Sequence, residues 1–211
     1  SSLSHSDVVS YYAPRFANDA SCCDALPTAT SVPSKTFSPR TVSSRSRSSR
    51  NRNVQYYTSN PPCSTASVRR LSQQLIDEVA CLDPGAVASW EGLSGISPKD
   101  ASVFPYLQSA AITSLKRAMS NGRSRAGKIT VNSGLRTLPQ QYLLYQWYRK
   151  KRCGISLAAT PGRSNHNGGL AFDIGEYRAW KPYLEAQGWR WQGSKDPWHF
   201  SYRGGGTKDL R

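Results

Sequence analysis

At 211 residues, with 37% hydrophobic and 10% aromatic side chains, the chain is long enough for one well-cored domain plus a sizeable extension. No run of about 18 apolar residues occurs, which excludes a membrane-spanning helix. A net charge of +15, from 28 Lys+Arg against 13 Asp+Glu, draws the chain towards polyanions. Paired Cys/His fingers and aromatic RNP motifs are absent, so an anionic bacterial cell wall is at least as plausible a partner as nucleic acid. The chain opens at Ser1 and its single Met is Met119, which reads as a mature, processed, secreted protein, extracellular or periplasmic and acting as a monomer.

Residues 1–62 read as a Ser/Arg-rich basic extension. From Lys35 to Arg52 there is no acid, and Arg40, Arg45, Arg47, Arg50 and Arg52 recur among serines. Such a stretch buries too little apolar surface to fold alone. It is a cationic arm or a segment wrapped on the domain, with Tyr11, Tyr12, Phe16, Tyr56 and Tyr57 as anchors. A compact domain is expected over 63–211. None of the five cysteines (Cys22, Cys23, Cys63, Cys81, Cys153) has C-x-x-C metal spacing. In a secreted chain they imply two disulfides and one leftover thiol, with the adjacent Cys22 and Cys23 bonded to different partners.

The first expected helix covers roughly 64–82, where Val68, Leu71, Leu75, Val79 and Leu82 form one apolar stripe before Asp83-Pro84-Gly85. A second is expected over 105–120, closed by Asn121-Gly122. Lys128 to Asn132 reads as a strand. Thr137 and Gln140 have capping-box spacing, with Pro139 in the first turn of a helix that ends in Arg149-Lys150-Lys151-Arg152, ahead of Gly154. Strands are expected over 170–174, 189–192 and 198–202, and a short helix over 180–187. The mixture predicts an α+β fold, a small antiparallel sheet flanked by helices.

Two of the three histidines sit in distinctive contexts. In Ser164-Asn165-His166-Asn167-Gly168-Gly169-Leu170-Ala171-Phe172-Asp173, strand alternation places Gly169, Ala171 and Asp173 on one face and Leu170, Phe172 and Ile174 on the other. The first face leaves room for His166 to fold back beside Asp173. In Asp196-Pro197-Trp198-His199-Phe200, Pro197 opens a strand and His199 points away from Trp198 and Phe200. His166, Asp173 and His199 would make a two-histidine, one-carboxylate set with an open fourth position, the catalytic form of a zinc site. Asp196 lies just off the strand end, where it can take a proton from water. The bland alternative is a hydrogen-bonded loop histidine and an Asp-Pro turn.

These residues resemble a known family. S-x-H-x-x-G-x-A-x-D followed by [DE]-x-W-H looks like the VanY-type zinc D-Ala-D-Ala peptidases, which share a fold with peptidoglycan endopeptidases of phage lysins and with the hedgehog signalling domain. The family's upstream S-G-x-R is Ser133-Gly134-Leu135-Arg136 here, with Gln141 at a recurring glutamine. The resemblance covers roughly 63–202. It implies Zn2+ on His166, Asp173 and His199, Asp196 as general base, Arg136 polarising the scissile carbonyl, and Ser164 and Gln141 holding the peptide. The implied substrate is a peptidoglycan stem peptide, and 63–211 becomes a zinc peptidase domain. Asp196 stands where carboxypeptidase and dipeptidase members often have Glu, and Asp is common in the endopeptidase branch. Terminal D-Ala release, by a D-Ala-D-Ala carboxypeptidase, is the expected reaction and internal cleavage stays open beside it; a non-catalytic zinc-holding module is the other alternative, and the intact Asp196 and Arg136 argue against it.

Overall fold

The structure is a computed structural model that describes residues 52–210. The Ser/Arg-rich stretch before Arg52, the aromatic anchors Tyr11, Tyr12 and Phe16, and Cys22 and Cys23 lie outside the described residues. Helix α1 (Val54–Ser59) is capped by Asn53, whose side chain accepts from the Tyr56 amide. It lies ahead of Cys63, and its Val54 and Tyr57 pack with Val68, Leu143 and Trp147. The Trp147 indole donates to the Tyr57 carbonyl at 2.9 Å. A disulfide joins Cys63 to Cys153, closing a separation of 90 residues, and Cys81 is also disulfide-bonded.

A 3-10 turn (Thr65–Val68) leads into α2 (Arg69–Leu82), the first expected helix. Helix α2 buries Ser72 and Ile76; of the expected stripe Val68, at the end of the 3-10 turn, is buried, while Leu71 and Leu82 are 39% and 42% exposed. The cause is polar. The Ser72 hydroxyl bonds Thr137 Oγ1 at 2.7 Å in a buried setting, which turns the Ser72–Ile76 face inward. The second helix also differs from expectation. Residues 106–108 form a strand, β3 (Tyr106–Gln108), paired antiparallel with β1 (Val87–Ser89). Helix α3 then runs Ser109–Ala126, straight through Asn121-Gly122. Gly122 does not stop the helix. A Cβ there would sit 2.8 Å from the rings of Trp180 and Tyr183, so the glycine permits a close approach between helices.

The remaining strands form one five-stranded sheet. They are β2 (Ile96–Pro98), β4 (Ile129–Ser133), β5 (Ala171–Ile174), β6 (Trp189–Trp191) and β7 (His199–Tyr202), in the order β2-β4-β5-β7-β6. All neighbours are antiparallel except the edge pair β2/β4, whose strands are linked through α3. The expected α+β class with a small antiparallel sheet holds. Helix α3 and helix α5 (Tyr177–Glu185) supply Leu115, Ala118, Trp180 and Leu184 to the main core, against Ile129, Val131, Phe172, Ile174 and Phe200 of the sheet. Helix α4 (Leu138–Arg149) begins with the expected Thr137/Gln140 capping box.

Candidate metal centre

The sheet register lines up the chemistry. Asp173 on β5 lies opposite His199 on β7 and, across the other edge, opposite Ser133 on β4. Ala171 pairs with Ser201 on the same face, while Phe172 pairs with Phe200 on the opposite, core-facing side. His166 reaches the polar face from the turn before β5. That turn is closed by the Asn167 amide on the Ser164 carbonyl at 3.0 Å and the Gly169 amide on the His166 carbonyl at 3.1 Å. Gly169 has φ +65°, which a glycine adopts freely. The strand starts only at Ala171, so Gly169 belongs to the turn, and the expected open space above it is filled. A Cβ on Gly169 would meet the Gln108 backbone nitrogen at 3.1 Å.

Three ligand atoms converge. His199 Nδ1 lies 2.9 Å from Asp173 Oδ1, His166 Nε2 lies 3.4 Å from the same oxygen, and the two nitrogens are 3.2 Å apart. Four ligands about 2.0–2.2 Å from a zinc ion at tetrahedral angles are about 3.3–3.6 Å from one another. The observed edges lie at or a few tenths of an ångström below this, and His166, Asp173 and His199 could hold a metal ion. The outer bonds agree with this. His166 Nδ1 sits 2.9 Å from the Gly134 carbonyl, an acceptor only, so Nδ1 carries the proton and Nε2 offers its lone pair inward. His199 Nε2 is 3.0 Å from Ser201 Oγ, which leaves Nδ1 facing the site.

Electrostatics favour the ligand forms. Burial pushes the His166 imidazole below its usual value, with Arg136 and His199 adding to the effect against the pull of Asp173, so it is neutral. Burial alone would raise the Asp173 carboxyl, but His166, His199 and Arg136 together hold it well below the usual carboxylate range. Asp196, in the turn between β6 and β7, goes the other way: burial raises it, and the nearby charge of Asp173 raises it further. The turn is set by the Asp196 amide on the Gly193 carbonyl, the His199 amide on the Asp196 carbonyl, and the Trp191 indole on the Pro197 carbonyl at 2.7 Å.

Arg136 lies 3.8 Å from Asp173 Oδ2 and donates to Gln141 Oε1 at 2.9 Å and to Ser133 Oγ at 2.8 Å. Gln141 is fully buried, and its other end donates to the Ala159 carbonyl at 2.7 Å. A substrate group would have to displace one of these bonds to reach it. Ser164 is half-buried, and its hydroxyl accepts from the His166 amide at 3.3 Å. The structure thus gathers His166, Asp173, His199 and Arg136 with Asp196 beside them, puts Gln141 behind Arg136, and puts Ser164 at the base of the His166 turn.

Sequence reasoning passed over Ser201, Gly134 and Asn167 as site residues. Buried Asn167 donates to the Arg136 carbonyl at 2.6 Å and accepts from the Gly162 amide at 3.1 Å, tying the two histidine-side segments together. Ser201 was legible, since it lies two residues beyond His199 on one strand face. The roles of Gly134 and Asn167 rest on long-range backbone bonds that leave no local pattern.

The profile of the VanY family, described as D-alanyl-D-alanine carboxypeptidase, matches residues 105–191. The match takes in Arg136, Gln141, Ser164, His166 and Asp173, and stops before Asp196 and His199. No curated protein matches. Among solved structures, the chain is similar to the LdcB LD-carboxypeptidase, described as revealing the molecular basis of peptidoglycan recognition. The two are 18% identical, with a TM-score of 0.46 over 58% of this chain and 70% of that one.

Proposed function

We propose, from the match of residues 105–191 to the model of the VanY family, that the chain is a zinc peptidase of peptidoglycan stem peptides, releasing the terminal residue of D-Ala-D-Ala. The observation that carries this reading is the three-atom cluster of His166 Nε2, Asp173 Oδ1 and His199 Nδ1, with edges of 2.9–3.4 Å that suit tetrahedral zinc. A zinc ion held there would act as a Lewis acid and lower the pKa of water at its open position.

The other steps belong to the protein. Asp196, its carboxyl raised by burial and by the charge of Asp173, takes the proton of the attacking water and returns it to the leaving amine. Arg136, fixed by Gln141 and Ser133, steadies the negative charge that grows on the carbonyl oxygen. Its two bonds leave little rotamer freedom to lose during the reaction. Ser164 retains a hydroxyl proton for the peptide, and Gln141 acts through Arg136. Action on the wall places the protein outside the cytoplasm.

A synthetic stem pentapeptide incubated with the full chain, with and without chelator, tests the reading by mass spectrometry. Chelator-sensitive loss of one alanine is expected. An internal cut would reassign the protein to the endopeptidases, and an intact peptide in the presence of zinc would overturn the proposal.

A further inference from the structure

Between Asp100 and Asp173 the sequence holds eleven Lys and Arg residues and no acid. Apart from Arg136, none of these cations is in an ion pair among the described residues. Four are consecutive, Arg149 to Arg152, at the end of α4. Cations there usually complement a helix C-terminus, but this end is already closed by backbone bonds. The amides of Lys150, Lys151 and Arg152 donate to the carbonyls of Gln146, Tyr148 and Trp147 at 3.0, 3.0 and 2.7 Å.

The turn beyond is rigid. Lys151, Cys153 and Gly154 have φ of 51°, 58° and 65°, and Cys153 is tied to Cys63. Lys150 turns away, its ammonium 3.3 Å from the carbonyl and hydroxyl of Thr58. Arg149 and Lys151 instead line an open groove of about 480 Å³ with Tyr148, Gly154, Ile155 and Ser156. The groove therefore has on its wall two cations without an ion pair among the described residues, Arg149 being held by one hydrogen bond to the Tyr145 hydroxyl at 3.3 Å, with an aromatic and an aliphatic surface between them and a hydroxyl. Its shape is set before any ligand arrives, which lowers the ordering cost of binding.

We propose that this groove is a second binding site, separate from the metal centre, for a phosphodiester-linked anionic polymer of the cell wall. Arg149 offers a planar fork to one phosphate and Lys151 a point charge to the next. Tyr148 and Ile155 cover the carbon linkers between them. The ligand chemistry rests on the groove alone. The choice of a wall polymer over nucleic acid rests on the peptidase reading above.

The test uses the full chain and poly(glycerol phosphate) as probe, with the dissociation constant read at several salt concentrations. Arg149→Gln with Lys151→Gln is compared with Lys116→Gln and Arg117→Gln, two exposed cations on α3 with the same change of charge. The groove pair is expected to weaken binding at least tenfold and to flatten the salt slope by about 1.4, roughly 0.7 per lost phosphate contact. The α3 pair should weaken it less than threefold. Cleavage of a small soluble stem peptide should be unchanged in both variants, so a failure of the peptidase reading would show separately. Equal losses in the two variants would overturn the groove in favour of net charge alone. Tighter binding to single-stranded DNA than to poly(glycerol phosphate) would overturn the choice of ligand.

Discussion

The two faces of strands β5 and β7 carry opposite burdens. On one face, Phe172 pairs with Phe200 inside the core, and Ile174 joins them, all fully buried. On the other, Asp173 pairs with His199 and Ala171 with Ser201. Every second residue stabilises the fold, and the residues between them carry the side chains that could hold a metal ion. The difference teaches that site and core are set by the same register. A one-residue slip would exchange them and destroy both, so a rigid apolar face is what keeps the ligand atoms 2.9–3.4 Å from one another.

Substitutions can separate the two faces. The largest expected effect is on the polar face: Asp173→Ala or His166→Ala should remove metal binding and reduce activity to background, while circular dichroism shows the fold retained. Next, Asp196→Asn should keep the metal but lower kcat by about 10²–10⁴-fold. Only the ionised Asp196 can accept a proton, so the wild-type rate is lost as pH falls through its pKa. Because that pKa is raised, the acid limb of kcat/KM should lie above the ordinary Asp value of about 3.9, and the variant should lack it.

The core face answers differently. Phe172→Ala should cost about 3–5 kcal/mol of stability in a denaturant titration, with the surviving folded fraction still binding metal. Smaller still is Ser201→Ala, which removes the outer bond to His199 Nε2. Metal affinity should drop by about 10–100-fold with little change in melting temperature. If Ser201→Ala instead unfolds the protein, the two faces are not separable in the way their burial implies.

Much of this was legible from residue order. Strand alternation around Asp173 and His199 survives in the structure because period-2 patterning reports a sheet with one buried face. The Thr137 capping box did so because caps are local. The errors share a cause, which is information held at long range. The Leu-rich stripe of α2 lost to a buried bond between Ser72 and Thr137, 65 residues apart. Gly122 read as a stop, but its role is set by Trp180 and Tyr183 on another helix. In the site, the ligand residues could be named from their contexts, whereas the burial of Gln141 behind Arg136 depends on where residue 159 returns. Strands β1 to β3 are three residues each, too short to show a period.

The central claim is that His166, Asp173 and His199 together hold one zinc ion. Native mass spectrometry of the full chain and of Asp173→Ala, each supplied with equimolar zinc, tests it most directly. One zinc per chain in the wild type and none in the variant is the expected result. Equal zinc occupancy in both proteins would contradict it.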